Sequence, residues 1–316
     1  FPTRPLPICS HHFVNWLHSQ TGEPVLWIDP YPTRLPSLHD LRFTPATNPQ
    51  KVAVPHWLQV CKPQALPIEP IPGSSIVQRL LWRHIFKKTT AFSADRPCMI
   101  CVGKPSELAL QLLARMPDSY AIYDAMDDFP AFYQGLSRRS MEGRQHRIIS
   151  HVSKVLASST AIRDKLLCKT DKVELALNAC DMHELAPVES LDLGTKQRIF
   201  GYVGTIGNWF DWDLVIALAR ANSENRVQLI GPIFNPAPCT LPANIELLPE
   251  SPHADAIAAM ATFSVGLIPF KLSRLTASVD PIKYYEYRAL GLPVMSTRFG
   301  EMAQRSEEHT SELQSP

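Results

Sequence analysis

From Cys98 onward the chain repeats one pattern: a short apolar run, a turn, then a stretch with helical spacing. Cys98–Val102 reads as a strand, closed by Gly103-Lys-Pro-Ser106. A helix follows with Leu108, Leu112 and Leu113 on one side and Ser106 as its N-cap. Ser119–Tyr123 and Val152–Ala157 read as further strands, then Ala161–Lys169 as a helix and Val173–Leu177 as a strand. Between Glu184 and Lys196 the pattern loosens, and it restarts with a strand at Ile199–Val203 and a helix at Asp213–Ala221. Strands at Val227–Ile230 and Ile245–Leu248, a helix at Ala254–Thr262, a strand at Val265–Pro269, a helix at Ile282–Leu290 and a strand at Pro293–Ser296 complete it. Such alternation predicts parallel sheets covered on both faces. The expected fold is α/β: two Rossmann-like, doubly wound domains, 1–185 and 186–304, facing a cleft at the carboxyl ends of their strands.

Before Cys98 the signal is weaker. Phe13–Ser19 has helical spacing and Pro24–Asp29 reads as a strand, but 14 of the 29 prolines fall within the first 72 residues, which predicts a loop-rich region. The net charge of +1 excludes a dedicated nucleic-acid binder. Seven unevenly spaced cysteines do not make a disulfide framework, and no apolar run has the length of a membrane span; both predict a cytoplasmic protein. The chain starts at Phe1 without an initiator Met, and Arg305–Pro316 looks like the translation of a sequencing adapter. The expectation is therefore a protein truncated at both ends with a non-native tail at 305–316.

The richest chemistry lies between Phe270 and Tyr287. Lys271, Arg274 and Lys283 surround the start of a helix at Pro281, where free backbone N–H groups and the helix dipole suit a phosphate or diphosphate. Lys283 and Glu286 share a helix face, so one can hold phosphate while the other accepts a sugar hydroxyl; a surface ion pair fits the spacing equally well. Gly204 and Thr205 lie in a strand-to-helix turn that could approach a phosphate or be an ordinary tight turn. Asp124, Asp127 and Asp128 follow a strand and could orient or deprotonate an acceptor hydroxyl or hold a divalent ion, although one of them could be a helix cap. Cys98 and Cys101 read as buried core thiols, and His11, His12 and His18 as surface or structural groups. The basic stretch 138–154 reads as a solvated helix face, with a peripheral contact to an anionic membrane as the alternative. Trp209, Phe210 and Trp212 could stack on a sugar or base, or form core.

Pro281-Ile-Lys283-Tyr-Tyr-Glu286-Tyr-Arg-Ala-Leu-Gly291-Leu-Pro293-Val resembles the P-x-K-x-x-E-x-x-A-x-G-x-P-V signature of GT-B glycosyltransferases of the group-1, family-4-like class. Phe200–Asp211, Leu229–Pro232, Gly266–Phe270, Tyr123–Asp128 and Ala157–Ser159 follow the same group in order, and the nearest likeness is to bacterial members that build cell-surface polysaccharides, teichuronic-acid-type enzymes included. The resemblance implies that Glu286 binds the donor ribose, that Lys271, Arg274 and Lys283 face the donor diphosphate, and that the acceptor is a glycan or lipid-linked sugar. It also implies retention of configuration, with neither metal nor cofactor, and a place in the cytoplasm or at the inner face of the membrane. The family's second acid, eight positions before Glu286, is Ser278 here; Asp280 is the candidate nearby. Two other readings share this donor site: a GT-B sugar-nucleotide epimerase, and a non-catalytic nucleotide-sugar-binding partner, for which Ser278 argues.

Overall fold

The computed structural model describes residues 8–33, 35, 54–66, 68–71, 73–94, 96–185 and 198–305. Most of the loosened stretch 184–196 and of the tail 305–316 lies outside them. Among the described residues the chain divides into two compact units. The first holds those up to Leu156 together with Leu166–Glu174; the second holds Ala157–Lys165 and those from Leu175 onward. The division is thus not a single cut after residue 185.

In the first unit, helix α1 (Ile8–Thr21) leads into β1 (Val25–Ile28), which pairs in parallel with β2 (Leu58–Cys61), Val25 opposite Leu58. Two nearly continuous helices follow, α2 (Ser74–Leu81) and α3 (Arg83–Ser93). A four-stranded sheet has β3 (Met99–Val102) at its edge, then β4 (Tyr120–Ala125), β5 (Lys154–Ala157) and β6 (Val173–Leu175). Helix α4 (Glu107–Arg115) crosses from β3 to β4 and α5 (Gly135–His151) from β4 to β5, while α6 (Thr160–Leu167), between β5 and β6, belongs up to Lys165 to the second unit. Ser106 is the N-cap of α4, its hydroxyl accepting from the Ala109 N–H at 3.2 Å. The edge position of β3 corrects one expectation: Cys101 is exposed and Cys98 only half-buried, because an edge strand has neighbouring structure on one side only.

The second unit continues with α7 (Met182–Leu185) and a five-stranded parallel sheet in the order β11-β10-β7-β8-β9. Its strands are β7 (Ile199–Val203), β8 (Arg226–Ile230), β9 (Ile245–Leu248), β10 (Val265–Ile268) and β11 (Val294–Ser296). Phe200, Tyr202, Val227, Leu229 and Leu267 point to one face, under α8 (Trp212–Ala221). Val203, Ile230 and Ile268 point to the other, under α9 (His253–Met260) and α10 (Ile282–Ala289). The period-2 alternation of side chains therefore feeds two cores, which is what a doubly wound sheet requires. Two glycines set the spacing on the second face. A Cβ at Gly201 would lie 2.2 Å from the Phe263 ring, and one at Gly266 would lie 2.4 Å from the Tyr287 ring.

The first nine residues of the second unit are held there by polar bonds. The Ser159 hydroxyl donates to the Ser278 carbonyl at 2.9 Å, and the Thr160 N–H donates to Glu301 at 2.6 Å.

Candidate functional site

In the second unit the loops after β7 and β10 are stitched together at the carboxyl edge of the sheet. Phe210 and Phe270 form an antiparallel bridge, the Asp211 N–H donates to the Pro269 carbonyl at 2.8 Å, and the Lys271 N–H donates to the Trp209 carbonyl at 2.7 Å. This seam fixes where Lys271 leaves the sheet. Thr276, 1% exposed, then ties the loop down: its hydroxyl donates to the Lys271 carbonyl at 2.6 Å and accepts from the Ser273 N–H at 3.0 Å. Lys271 and Arg274 sit on this turn with exposed side chains, and neither has a carboxylate partner among the described residues. Phe210 and Trp212 are core, while Trp209 closes over Gly207.

Helix α10 begins where that loop ends. Pro281 occupies its N-cap position, no side chain caps its free N–H groups, and no acid stands in its first turn. That leaves an N-terminus suited to an anion, with Lys283 in the first turn. Lys283 and Glu286 are paired at 2.5 Å, but not as a surface pair: Glu286 is 4% exposed. A buried carboxylate held by one lysine keeps its second oxygen for another donor.

Asp280 serves a different end. One carboxylate oxygen accepts from the Asn178 N–H and the Tyr285 hydroxyl, each at 2.8 Å, and the other from Arg305 at 2.8 Å. The Asn178 side chain also donates to the Asp280 carbonyl at 2.6 Å. Burial raises the Asp280 carboxyl, an effect that its hydrogen bonds and Arg305 only partly offset. Asp280 is thus a strut between α10 and the segment after β6, with both oxygens engaged. The same segment brings Cys180 near Glu286: burial, then the Glu286 charge, raises the Cys180 thiol. Sequence reasoning missed Asn178, Cys180, Thr276 and Tyr285.

Gly204 and Thr205 lie at the end of β7. The Gly204 N–H donates to the Ile230 carbonyl at 2.9 Å, and the Thr205 carbonyl accepts from the buried Tyr202 hydroxyl at 2.9 Å. Gly231 (φ 139°) packs against the Gly204 carbonyl, which a Cβ would meet at 2.2 Å. The turn is built by two glycines in close contact.

In the first unit Asp124 lies in β4 and Asp127 and Asp128 follow it. Burial lifts Asp124 to about 6. Burial, then the neighbouring Asp124 and Asp128, lift Asp127 to about 6. Both values suit proton transfer near neutrality. Asp128 stands at the N-cap of a 3-10 turn, Phe129–Phe132, but its side chain does not cap it. Among the described residues no group of three His, Cys, Asp or Glu side chains could hold a metal ion.

The basic stretch 138–154 is not an open cationic face. Arg138 pairs with Glu142 at 2.9 Å, Arg147 with Glu107 at 3.6 Å, and Lys154 with Glu174 at 2.7 Å. Arg144 is buried rather than solvated, 3.0 Å from the buried Glu69, because α5 turns that side toward the core. No helix among the described residues is long and apolar enough to cross a membrane.

No protein-family model matches the chain. Sucrose-phosphate synthase from Thermosynechococcus elongatus superposes with a TM-score of 0.62 at 12% identity, over 93% of this chain and 76% of that one. HepE from Anabaena, solved with UDP-glucose, superposes with a TM-score of 0.52 at 15% identity, over 78% of this chain and 68% of that one. The fold is that of the GT-B glycosyltransferases. Starch synthase IV from Arabidopsis thaliana, solved with ADP and acarbose, shares it with a TM-score of 0.53 at 11% identity, over 74% of this chain and 63% of that one. In sequence, the chain is 24% identical over 217 residues to a protein of Bacillus subtilis (strain 168) named as a teichuronic acid biosynthesis glycosyltransferase, TuaH. That match takes in 62% of this chain and 52% of TuaH, so the chain spans about half the length of this relative.

Proposed function

We propose that the chain belongs to a retaining glycosyltransferase that moves a sugar from a nucleotide-diphosphate sugar to a glycan or lipid-linked acceptor in polysaccharide synthesis. The observation that carries this reading is the uncapped N-terminus of α10, with Lys271 and Arg274, unpaired among the described residues, on the loop before it and the buried Glu286 one turn inside. In this reading Lys271, Arg274 and the α10 N–H groups take the diphosphate. They stabilise the charge that develops as it leaves, the electrostatic route that departing phosphates favour. Glu286, oriented by Lys283, accepts the ribose hydroxyls through its second oxygen. Gly204 and Thr205 let backbone approach the phosphate. Asp124 or Asp127, held near pH 6 by burial, handles the acceptor proton. Asp280 positions α10 rather than touching the donor. HepE, solved with UDP-glucose, supports a nucleotide-sugar donor. No metal or cofactor is required in this scheme.

Titration calorimetry with UDP and ADP tests the donor site. Glu286→Ala and Lys283→Ala should each weaken nucleotide binding by about tenfold, the value of one charge-assisted hydrogen bond. Unchanged binding in both variants would sink the assignment.

A further inference from the structure

The three residues before Pro281, which lead the chain into α10, are each held by a different segment of the second unit. The Ser278 carbonyl accepts from the Ser159 hydroxyl at 2.9 Å, across 119 positions. The Val279 carbonyl accepts from the Glu301 N–H at 3.2 Å. Asp280 takes the Asn178 N–H on its carboxylate at 2.8 Å and the Asn178 side-chain amide on its carbonyl at 2.6 Å, across 102 positions. A loop that only joined β10 to α10 could leave these groups to water, as surface connections do.

The holding residues are themselves locked to one another. Ser159, fully buried, also accepts the Ile162 N–H at 3.2 Å, so one hydroxyl caps α6 and fixes Ser278. Glu301, 5% exposed, accepts the Thr160 N–H at 2.6 Å and the Thr160 hydroxyl at 3.3 Å, while its own N–H holds Val279. Gly300 makes that approach possible: its φ is 45°, and a Cβ there would lie 2.2 Å from the Val279 carbonyl oxygen. Residues 278–280 thus rest on α6, on the helical residues 300–305 and on the segment after β6. They set the direction in which the free N–H groups of Ile282 and Lys283 leave the start of α10. Donors fixed before a ligand arrives spare it the entropy of ordering them.

We propose that Ser159, Asn178 and Glu301 are positioning residues that preorganise the start of α10 for an anion. The proposal rests on the donor-site reading above and adds to it residues that touch no ligand. Calorimetry of the full chain with pyrophosphate and with UDP tests it. Asn178→Ala and Ser159→Ala should each weaken both ligands by about fivefold, the weight of one hydrogen bond, with the loss appearing as a less favourable binding entropy. Ser159→Thr, which keeps the hydroxyl, should bind like the parent. Glu286→Ala should weaken UDP but not pyrophosphate, which has no ribose. Without ligand, the Val279 and Tyr284 amides, bonded to the Thr276 and Pro281 carbonyls, should exchange hydrogen about fivefold faster in Asn178→Ala, and those of β7 and β8 at the parent rate. Asn178 is half-buried and caps no helix, so its variant should keep the parent's fold. If the parent binds both ligands and the two alanine variants bind them equally well, the proposal is overturned and the donor site stands. A lower melting temperature with unchanged affinity has the same consequence, because the bonds would then be structural only. Failure of the parent to bind either ligand would overturn the donor-site reading, and this proposal with it.

Discussion

The second unit fills its core by laying rings on bare backbone, Phe263 on Gly201 and Tyr287 on Gly266. The Tyr287 hydroxyl then accepts from the Val203 N–H at 3.2 Å, so even its polar end is used. The first unit buries an ion pair in its interior. Glu69 and Arg144 form an ion pair inside it, the Glu69 carboxylate also accepts from the Glu107 N–H at 2.7 Å, and burial pushes the Glu69 carboxyl up against the pull of Arg144. Among the described residues, every buried side-chain polar atom without a partner lies in the first unit: on Glu69, Gln78, Trp82, Gln111, Arg144 and Gln145. Both units bury charged groups, but among the described residues only the first leaves buried polar atoms without a partner. A rigid edge suits the proposed donor loop, which would keep Lys271, Arg274 and α10 in register. The first unit carries the polar strain.

Breaking the charge network should have the largest effect. Glu69→Ala leaves Arg144 buried and unpaired, so it should lower stability by about 3–5 kcal/mol in denaturant unfolding. Glu69→Leu with Arg144→Met should recover most of that loss; if it does not, the pair matters through its hydrogen bonds rather than its charge. Gly266→Ala probes the opposite strategy. A methyl group at 2.4 Å from the Tyr287 ring should cost about 1–3 kcal/mol, read as a lower melting temperature, and should weaken nucleotide binding by displacing α10. A neutral outcome would mean that the second unit is softer than its contacts suggest.

The smallest effect should be a pH dependence confined to the first unit. Asp124 and Asp127 hold their protons to about 6 when folded, against an ordinary value of 3.8. The folded state therefore binds more protons than the unfolded chain between these values. The resulting stability is fully present below about pH 4 and is lost as pH rises through about 6. Asp124→Asn with Asp127→Asn should remove this loss and flatten the pH profile of stability between 4 and 7. A pH profile between 4 and 7 that is identical in parent and variant would show that neither carboxyl is desolvated.

Much of the second unit could be read from the chain. Its strands are apolar on both faces because both are covered, and Pro281 marks the start of α10, so the loop with Lys271 and Arg274 falls between them. Ser106 was legible as a cap for the same local reason: its partner is three residues away. Cys101 was misread because an apolar run does not say whether its strand lies at the centre or the edge of a sheet.

Local chemistry along the sequence thus determined the alternation of strands and helices, the two Rossmann-like halves, and the cations and Glu286 around one helix start. Tertiary structure alone decided what those residues meet. It assigned residues 157–165 to the second unit, joined Asn178 to Asp280 across 102 positions, buried Arg144 against Glu69 across 75, and turned Ile76 and Leu80 outward. The physical reason is range. Caps, turns and periodicity act within a few residues, whereas burial and charge pairing depend on which distant segment the fold brings alongside.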